Sequence, residues 1–89
     1  MEQIIFNPRW REELEAISDE GILIFELMMG ELHVYFPDQN HWLNTVPDWA
    51  KDKWDVYFRA CSNWCTQNKI PISIVTDAHV YEEKPTRRE

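Results

Sequence analysis

Glycine is scarce in this chain, with two residues among 89. Loops that cradle phosphate groups depend on several glycines, because their backbone must approach the ligand closely. The sequence contains no phosphate-binding loop, no dinucleotide fingerprint and no G-x-S-x-G motif. We therefore do not expect a nucleotide-binding role or a hydrolase of the nucleophile-elbow type.

Basic residues are also few, with nine Lys and Arg against sixteen Asp and Glu and a net charge of −7. Proteins that bind a nucleic-acid backbone or an anionic membrane neutralise phosphate with basic side chains. We expect neither class of partner. The acidity is compatible with a basic protein partner, and it is equally a common means of keeping a protein in solution.

Long apolar runs are absent. The stretch GILIFELMMG at 21–30 is interrupted by Glu26 and falls short of the ~20 apolar residues that span a bilayer. The first ten residues, MEQIIFNPRW, lack the basic start and apolar run of a secretory signal. Two cysteines without such a signal do not indicate a disulfide framework. The expected location is the reducing environment of the cytoplasm.

Aromatic residues, in contrast, are abundant, with five Trp, four Phe and three Tyr. Each buried aromatic side chain removes about 150–250 Å² from water, so these residues can supply most of a small hydrophobic core. The chain is long enough for one such core. We predict a single domain over 1–81, followed by a disordered polar tail at 82–89.

The element order predicted from the sequence is β-α-β-β-α-β, which is typical of an α+β fold with a mostly antiparallel sheet of three to five strands. Residues 3–6 read as a strand. A short N-terminal helix is expected at 8–18, because Asn7 and Pro8 suit a helix start and three apolar residues follow at helical spacing. These three residues are Trp10, Leu14 and Ile17.

The segment ILIFELMMGELHVYF predicts a β-hairpin with a two-residue loop at Met29 and Gly30. In this register Glu26 opposes His33, and the apolar residues of both strands share one face. That predicted core face consists of Leu23, Phe25, Leu27, Leu32, Val34 and Phe36.

After the hairpin, residues 37–48 read as a loop and 47–68 as one long helix packed on one face of the sheet. A further strand is expected at 70–76, without a predicted position in the sheet. The apolar stripe of the long helix includes Cys61 and Cys65. Their i,i+4 spacing is too wide for an unstrained disulfide but suits two ligands of one zinc ion. A zinc site would need a histidine from elsewhere, so buried thiols on the core stripe are the interpretation we favour.

Two groups of surface residues are candidate sites. The first is a cluster of tryptophans and carboxylates, which resembles an interaction hot spot if the tryptophans are exposed. The second is a polar group on the hairpin face opposite the core, where a carboxylate beside a histidine suits acid–base chemistry or a plain ion pair. The first group comprises Trp42, Asp48, Trp49, Asp52 and Asp55, and the second comprises Glu26, His33, Asp77 and His79.

These observations favour a small acidic cytoplasmic protein without catalytic activity or cofactor, which binds a more basic protein partner in the manner of an inhibitor, immunity protein or adaptor. The alternative is a ligand- or zinc-binding domain, with some enzymatic activity as a further option, that uses Cys61 and Cys65 with a histidine. A homodimer formed through a sheet edge or the mixed hairpin face is a third hypothesis.

Overall fold

A computed structural model describes residues 3–9 and 12–83 of the chain. It shows a small α+β domain with a six-stranded, mostly antiparallel sheet, so the predicted class is confirmed and the predicted three to five strands are too few. The elements are β1 Ile5–Arg9, β2 Glu13–Ser18, β3 Gly21–Met28, β4 His33–Pro37, α1 Gln39–Thr45, a single 3-10 turn Asp48–Ala50, α2 Trp54–Gln67, β5 Ile72–Val75 and β6 Tyr81–Glu83.

The strands follow the order β1-β2-β3-β4-β5, in which every neighbouring pair is antiparallel except β4 and β5. On one edge of β3, β2 pairs with residues 21–26. The opposite edge is shared, because β4 pairs with residues 26–28 and β6 pairs with residues 22–24. One edge of β3 is therefore divided between β4 and β6. The segment between β5 and β6 crosses the end of β4.

The predicted N-terminal helix at 8–18 is wrong, since this region contains the end of β1 and all of β2. In β2 the buried residues Leu14 and Ala16 alternate with half-buried Glu13 and Glu15. This period of two is the pattern of a half-buried strand, and it competes with the helical spacing of Leu14 and Ile17. The pairing of this segment with β3 favours the strand over the helix. Trp10 lies outside the described residues.

The β3–β4 hairpin exists, but its register differs from the prediction. Met28 opposes His33, so the loop has four residues instead of two, and Glu26 opposes Tyr35. A shift of two residues leaves every side chain on its original face, and for that reason the apolar pattern could not distinguish the two registers. The predicted core face is buried except for Leu32, which lies in the loop and is 47% exposed.

The region predicted as a loop at 37–48 contains α1. Asp38 caps this helix, because its carboxylate accepts the N–H of His41 at 2.8 Å. The predicted long helix at 47–68 is shorter than expected and begins at Trp54. Pro47 precedes a single 3-10 turn instead, and α2 begins as a separate helix after Lys53.

Both helices pack on one face of the sheet. Trp42 of α1 lies at the centre of this core, with its ring 5.6 Å from that of Phe36 between centroids. From α2, Tyr57, Cys61 and Cys65 are buried on the same side. The opposite face of the sheet has no helix over it in the described part of the chain, and we call it the open face.

The end of the chain also differs from the prediction. Within the predicted strand 70–76, residues 72–75 form β5, which lies parallel to β4. Glu82 and Glu83 belong to β6, so the predicted start of a tail at 82 falls inside a strand. Residues 84–89 lie outside the described residues.

Candidate functional site

The open face carries several carboxylates. Because opposite residues in a ladder share a face, the strand register identifies the residues that lie together on it. The described charged side chains of this face and its cleft are five carboxylates and one guanidinium: Glu12, Glu13, Glu15, Glu26 and Glu83, with Arg9.

A cleft of about 400 Å³ opens on this face beside β3. Ile24 lines this cleft and is 1% exposed, although it is not part of the core on the helix side. The polar side chains around the cleft are Glu12, Glu13, Glu26, Tyr35, His79 and Tyr81. The cleft therefore combines an apolar lining with carboxylates and two tyrosines, as small binding sites commonly do.

Two residues of the predicted polar site meet in this cleft. The backbone N–H of His79 donates to Oε2 of Glu26 at 2.9 Å. The contact joins the segment before β6 to the middle of β3, so it fixes one wall of the cleft. Glu26 does not pair with His33, in contrast to the prediction, because the four-residue hairpin loop places Tyr35 opposite Glu26.

The other two members of that predicted site lie elsewhere. His33 shares a hydrogen bond of 2.8 Å between its Nε2 and the hydroxyl of Ser73, and its ring stacks on Tyr35 at 4.6 Å between centroids. Asp77 is exposed in a bend after β5. An acid–base site of all four residues is therefore not assembled.

A hydrogen-bonded network closes one end of the cleft. The Tyr81 hydroxyl donates to Oε2 of Glu13 at 2.5 Å, and this bond raises the pKa of Tyr81 to about 12. The Arg9 guanidinium contacts Glu83 at 2.9 Å, Glu13 at 2.5 Å and Glu15 at 3.3 Å. Hydrogen bonds to Glu83 and Glu13 raise the pKa of Arg9 above its ordinary value, so this side chain is a cation at neutral pH.

The chemistry offered by the cleft is recognition of a cation. The described residues that line it include no serine, threonine or cysteine that could act as a nucleophile. Carboxylates bind guanidinium and ammonium groups by charge-assisted hydrogen bonds, and tyrosine rings attract the same cations through their faces. The contacts of Arg9 show this recognition within the chain itself.

The predicted cluster of tryptophans and carboxylates is divided by the fold. Trp42 is fully buried and donates its ring N–H to the carbonyl of Ala50 at 2.8 Å, so it is removed from the candidate surface. Trp49 is half-buried and donates to Oε2 of Glu82 at 3.2 Å. Its ring covers Gly21, where a Cβ atom would lie 2.7 Å from the indole.

The three aspartates of that cluster, Asp48, Asp52 and Asp55, are exposed. Asp52 and Asp55 border a groove of about 250 Å³ on the helix side, together with Leu43 and Trp54. The helix side therefore retains an acidic surface. Its aromatic member is the half-buried Trp54, which packs against the core.

Cys61 and Cys65 are free and buried on the core side of α2, as favoured from their spacing. The hydrogen bond with Cys65 and burial of the thiol both raise the pKa of Cys61, which disfavours the thiolate that would bind a metal. Across residues 3–9 and 12–83 no group of three or more His, Cys, Asp or Glu side chains is arranged to hold a metal ion. The zinc alternative therefore lacks a third ligand there.

Sequence reasoning missed the contribution of Glu12, Glu13, Tyr35 and Tyr81 to the cleft. Glu12 and Glu13 fell within the predicted helix at 8–18, which does not form. The signal that could have identified Glu13 is its alternation with buried Leu14, which indicates a strand with an outward carboxylate. Tyr81 could not have been placed, because β6 pairs with a strand almost sixty residues earlier.

Comparison with known proteins gives no match to any family model, curated protein or solved structure. Within the described residues, neither helix has the length and apolar character needed to cross a lipid bilayer. The functional assignment therefore depends on the geometry and charge of the site.

Proposed function

We propose that this chain is a non-catalytic interaction protein of the cytoplasm that binds a basic protein partner at its open face, as an inhibitor, immunity protein or adaptor does. The observation that supports this function best is the excess of five carboxylates over one guanidinium on the open face, where Glu12, Glu13 and Glu26 line a cleft of about 400 Å³. The net charge of −7 adds to the same attraction over a longer range.

The binding step follows from the side chains at the cleft. Carboxylates spread over a face accelerate the encounter with a basic partner and orient it. A basic side chain entering the cleft would contact the rings of Tyr35 and Tyr81 and the carboxylate of Glu26. Tyrosine suits such an anchor because it has few rotatable bonds and joins an apolar ring to a polar hydroxyl.

The open face is a better candidate than the helix side for the main contact. Trp42, the expected anchor of the helix side, belongs to the core, and Trp49 is engaged by Glu82. On the open face, Tyr81 remains 42% exposed beside the cleft.

Two matched double variants test this assignment. Glu12→Gln with Glu26→Gln removes two exposed carboxylates at the cleft, and Asp48→Asn with Asp52→Asn removes two exposed carboxylates on the helix side. Both variants have the same net charge, so a difference between them reports position. A basic partner identified by co-purification and mass spectrometry should bind the cleft variant about tenfold more weakly, or ~1.4 kcal/mol.

The helix-side variant should bind within about twofold of the unmodified protein when both are measured by titration calorimetry at the same ionic strength. A larger loss for the helix-side pair than for the cleft pair would move the interface to the helix side. Equal, small losses for both pairs would show that neither surface carries the contact.

A further inference from the structure

Strand β5 has a free edge within the described part of the chain. It pairs on one side with β4, and no other described strand pairs with it. The carbonyls of Pro71 and Val75 accept the N–H groups of Val34 and Asp38. Since backbone groups alternate in direction along a strand, the N–H and C=O groups of Ile72 and Ile74 point away from β4.

The β1 edge and the β5 edge of this sheet differ in their protection. The edge strand β1 contains Pro8 and ends at Arg9, and both residue types discourage another chain from pairing with an edge. The sequence of β5, ISIV, contains neither a proline nor a charge. Its Ile74 is 48% exposed. The β5 edge therefore lacks the proline and the charge that protect the β1 edge.

A cavity lies beside this edge on the helix side of the sheet. It measures about 360 Å³ and is lined by Asp38, Gln39, Asn40, Trp54 and Ile74. Ile74 opposes Phe36, which places it on the helix side. Trp54 is fixed in the wall because its ring N–H donates to the carbonyl of Pro37 at 2.9 Å.

Two carboxylates line the groove next to this cavity. The groove includes Asp52 and Asp55, and it shares Gln39 and Trp54 with the cavity. Lys51 also lies in the groove, where its ammonium group donates to the carbonyl of Leu43 at 2.6 Å. The border of this apolar surface is therefore complementary to a basic side chain.

We infer that β5 accepts an extended segment of a partner protein as an added strand. Backbone hydrogen bonds to Ile72 and Ile74 would hold this segment, and pockets for alternate side chains would select it. An apolar side chain would enter the cavity beside Ile74 and Trp54, and a Lys or Arg two residues away would face the aspartates. This edge lies apart from the open-face cleft, so the inference does not depend on the proposed function.

The probe is the peptide acetyl-Thr-Leu-Thr-Arg-Thr-amide, in which Leu and Arg share one face of an extended chain. Ile74→Pro removes the outward N–H and leaves the bonds between β5 and β4. Ile74→Val retains this N–H and is the matched control. We expect Ile74→Pro to weaken peptide binding about tenfold and Ile74→Val to change it less than about twofold.

A second measurement uses the unmodified protein, so it does not depend on the folding of Ile74→Pro. The peptide is N-methylated either at its Leu and Arg amides or at the alternating Thr amides. In an added strand, only one of these two sets of amide N–H groups faces β5. Loss of binding when one set is methylated, and retention when the other is methylated, therefore supports strand addition.

Three results would overturn the inference: no binding of the unmodified peptide, equal binding of both methylated peptides, or equal binding by folded Ile74→Pro and the unmodified protein. A dimer in solution that Ile74→Pro converts to a monomer would assign the edge to a second copy of the chain instead. Sedimentation equilibrium measures the mass in solution and so distinguishes this dimer from the monomer.

Discussion

Glu13 joins the strand pairing of the sheet to the proposed binding surface. Its carboxylate accepts the Tyr81 hydroxyl and also contacts Arg9. These contacts link β1, β2 and β6 on the open face, where no helix from the described chain stabilises them. The network therefore positions Tyr81 at the cleft and strengthens the attachment of the short strand β6.

Tyr81 gives a pH-dependent contribution to stability. Its pKa in the folded protein is about 12, above the ordinary value of about 10. A raised folded-state pKa stabilises the protein fully below the ordinary value, and this stabilisation is lost as the pH rises through the folded-state value. The loss is expected between about pH 10 and 12.

The test is urea unfolding of the unmodified protein and Tyr81→Phe. At about pH 8 the variant should be less stable by about 0.5–1 kcal/mol, a modest value because the side chain is partly exposed. This difference should shrink between about pH 10 and 12. A stability difference that stays constant over that range would show that the hydrogen bond to Glu13 does not raise the pKa of Tyr81.

At the scale of elements, the sequence predicted best where a single periodicity was present. The apolar faces of β3 and β4 are as expected, because alternation fixes the face. Cys61 and Cys65, predicted on the apolar stripe of the long helix, are also buried. Alternation does not fix loop length, and the β3–β4 register differs from the prediction for that reason.

Elements supported by competing patterns were assigned wrongly. Leu14 and Ile17 suit one face of a helix, whereas Glu13 to Ala16 alternate as in a strand. The pairing of β2 with β1 and β3, which a local pattern cannot include, stabilises the strand. The short helix α1 was missed because the Pro, Asn and Asp residues around it are also typical of loops.

The N-cap of α1 provides a prediction at the same scale. Asp38→Ala removes the acceptor of the His41 N–H and should destabilise the protein by about 1 kcal/mol, within a range of about 0.5–2 kcal/mol. The effect reaches the core because α1 holds Trp42. Asp38→Asn retains a capping oxygen and should lie within about 0.5 kcal/mol of the unmodified protein. Equal losses for both variants in urea unfolding would indicate that the charge matters more than the cap.

At the scale of the whole molecule, the domain has two distinct sides. The helices cover one face of the sheet and leave an acidic groove near Asp52 and Asp55. The other face is open and contains the cleft of Glu26 and Tyr81. A protein with this arrangement can contact one partner with its open face while the β5 edge remains accessible.

The sequence anticipated the charge of the site but not its location. Composition alone gave the excess of carboxylates, and Glu26 and His79 were identified individually. These two residues come together because the chain crosses from β5 to β6 and because one edge of β3 is divided between β4 and β6. Those long-range pairings bring Glu13, Glu26 and Tyr81 together, and no local pattern in the sequence records them.

The most direct test of the central claim is amide chemical-shift mapping of the ¹⁵N-labelled protein with a tri-arginine peptide at physiological ionic strength. Binding at the open-face cleft predicts the largest shifts at Glu26, Tyr35, His79 and Tyr81, decreasing as salt is added. Much smaller shifts are expected at Asp48–Asp55. Largest shifts at Asp48–Asp55, or uniform small shifts over both surfaces, would contradict the account.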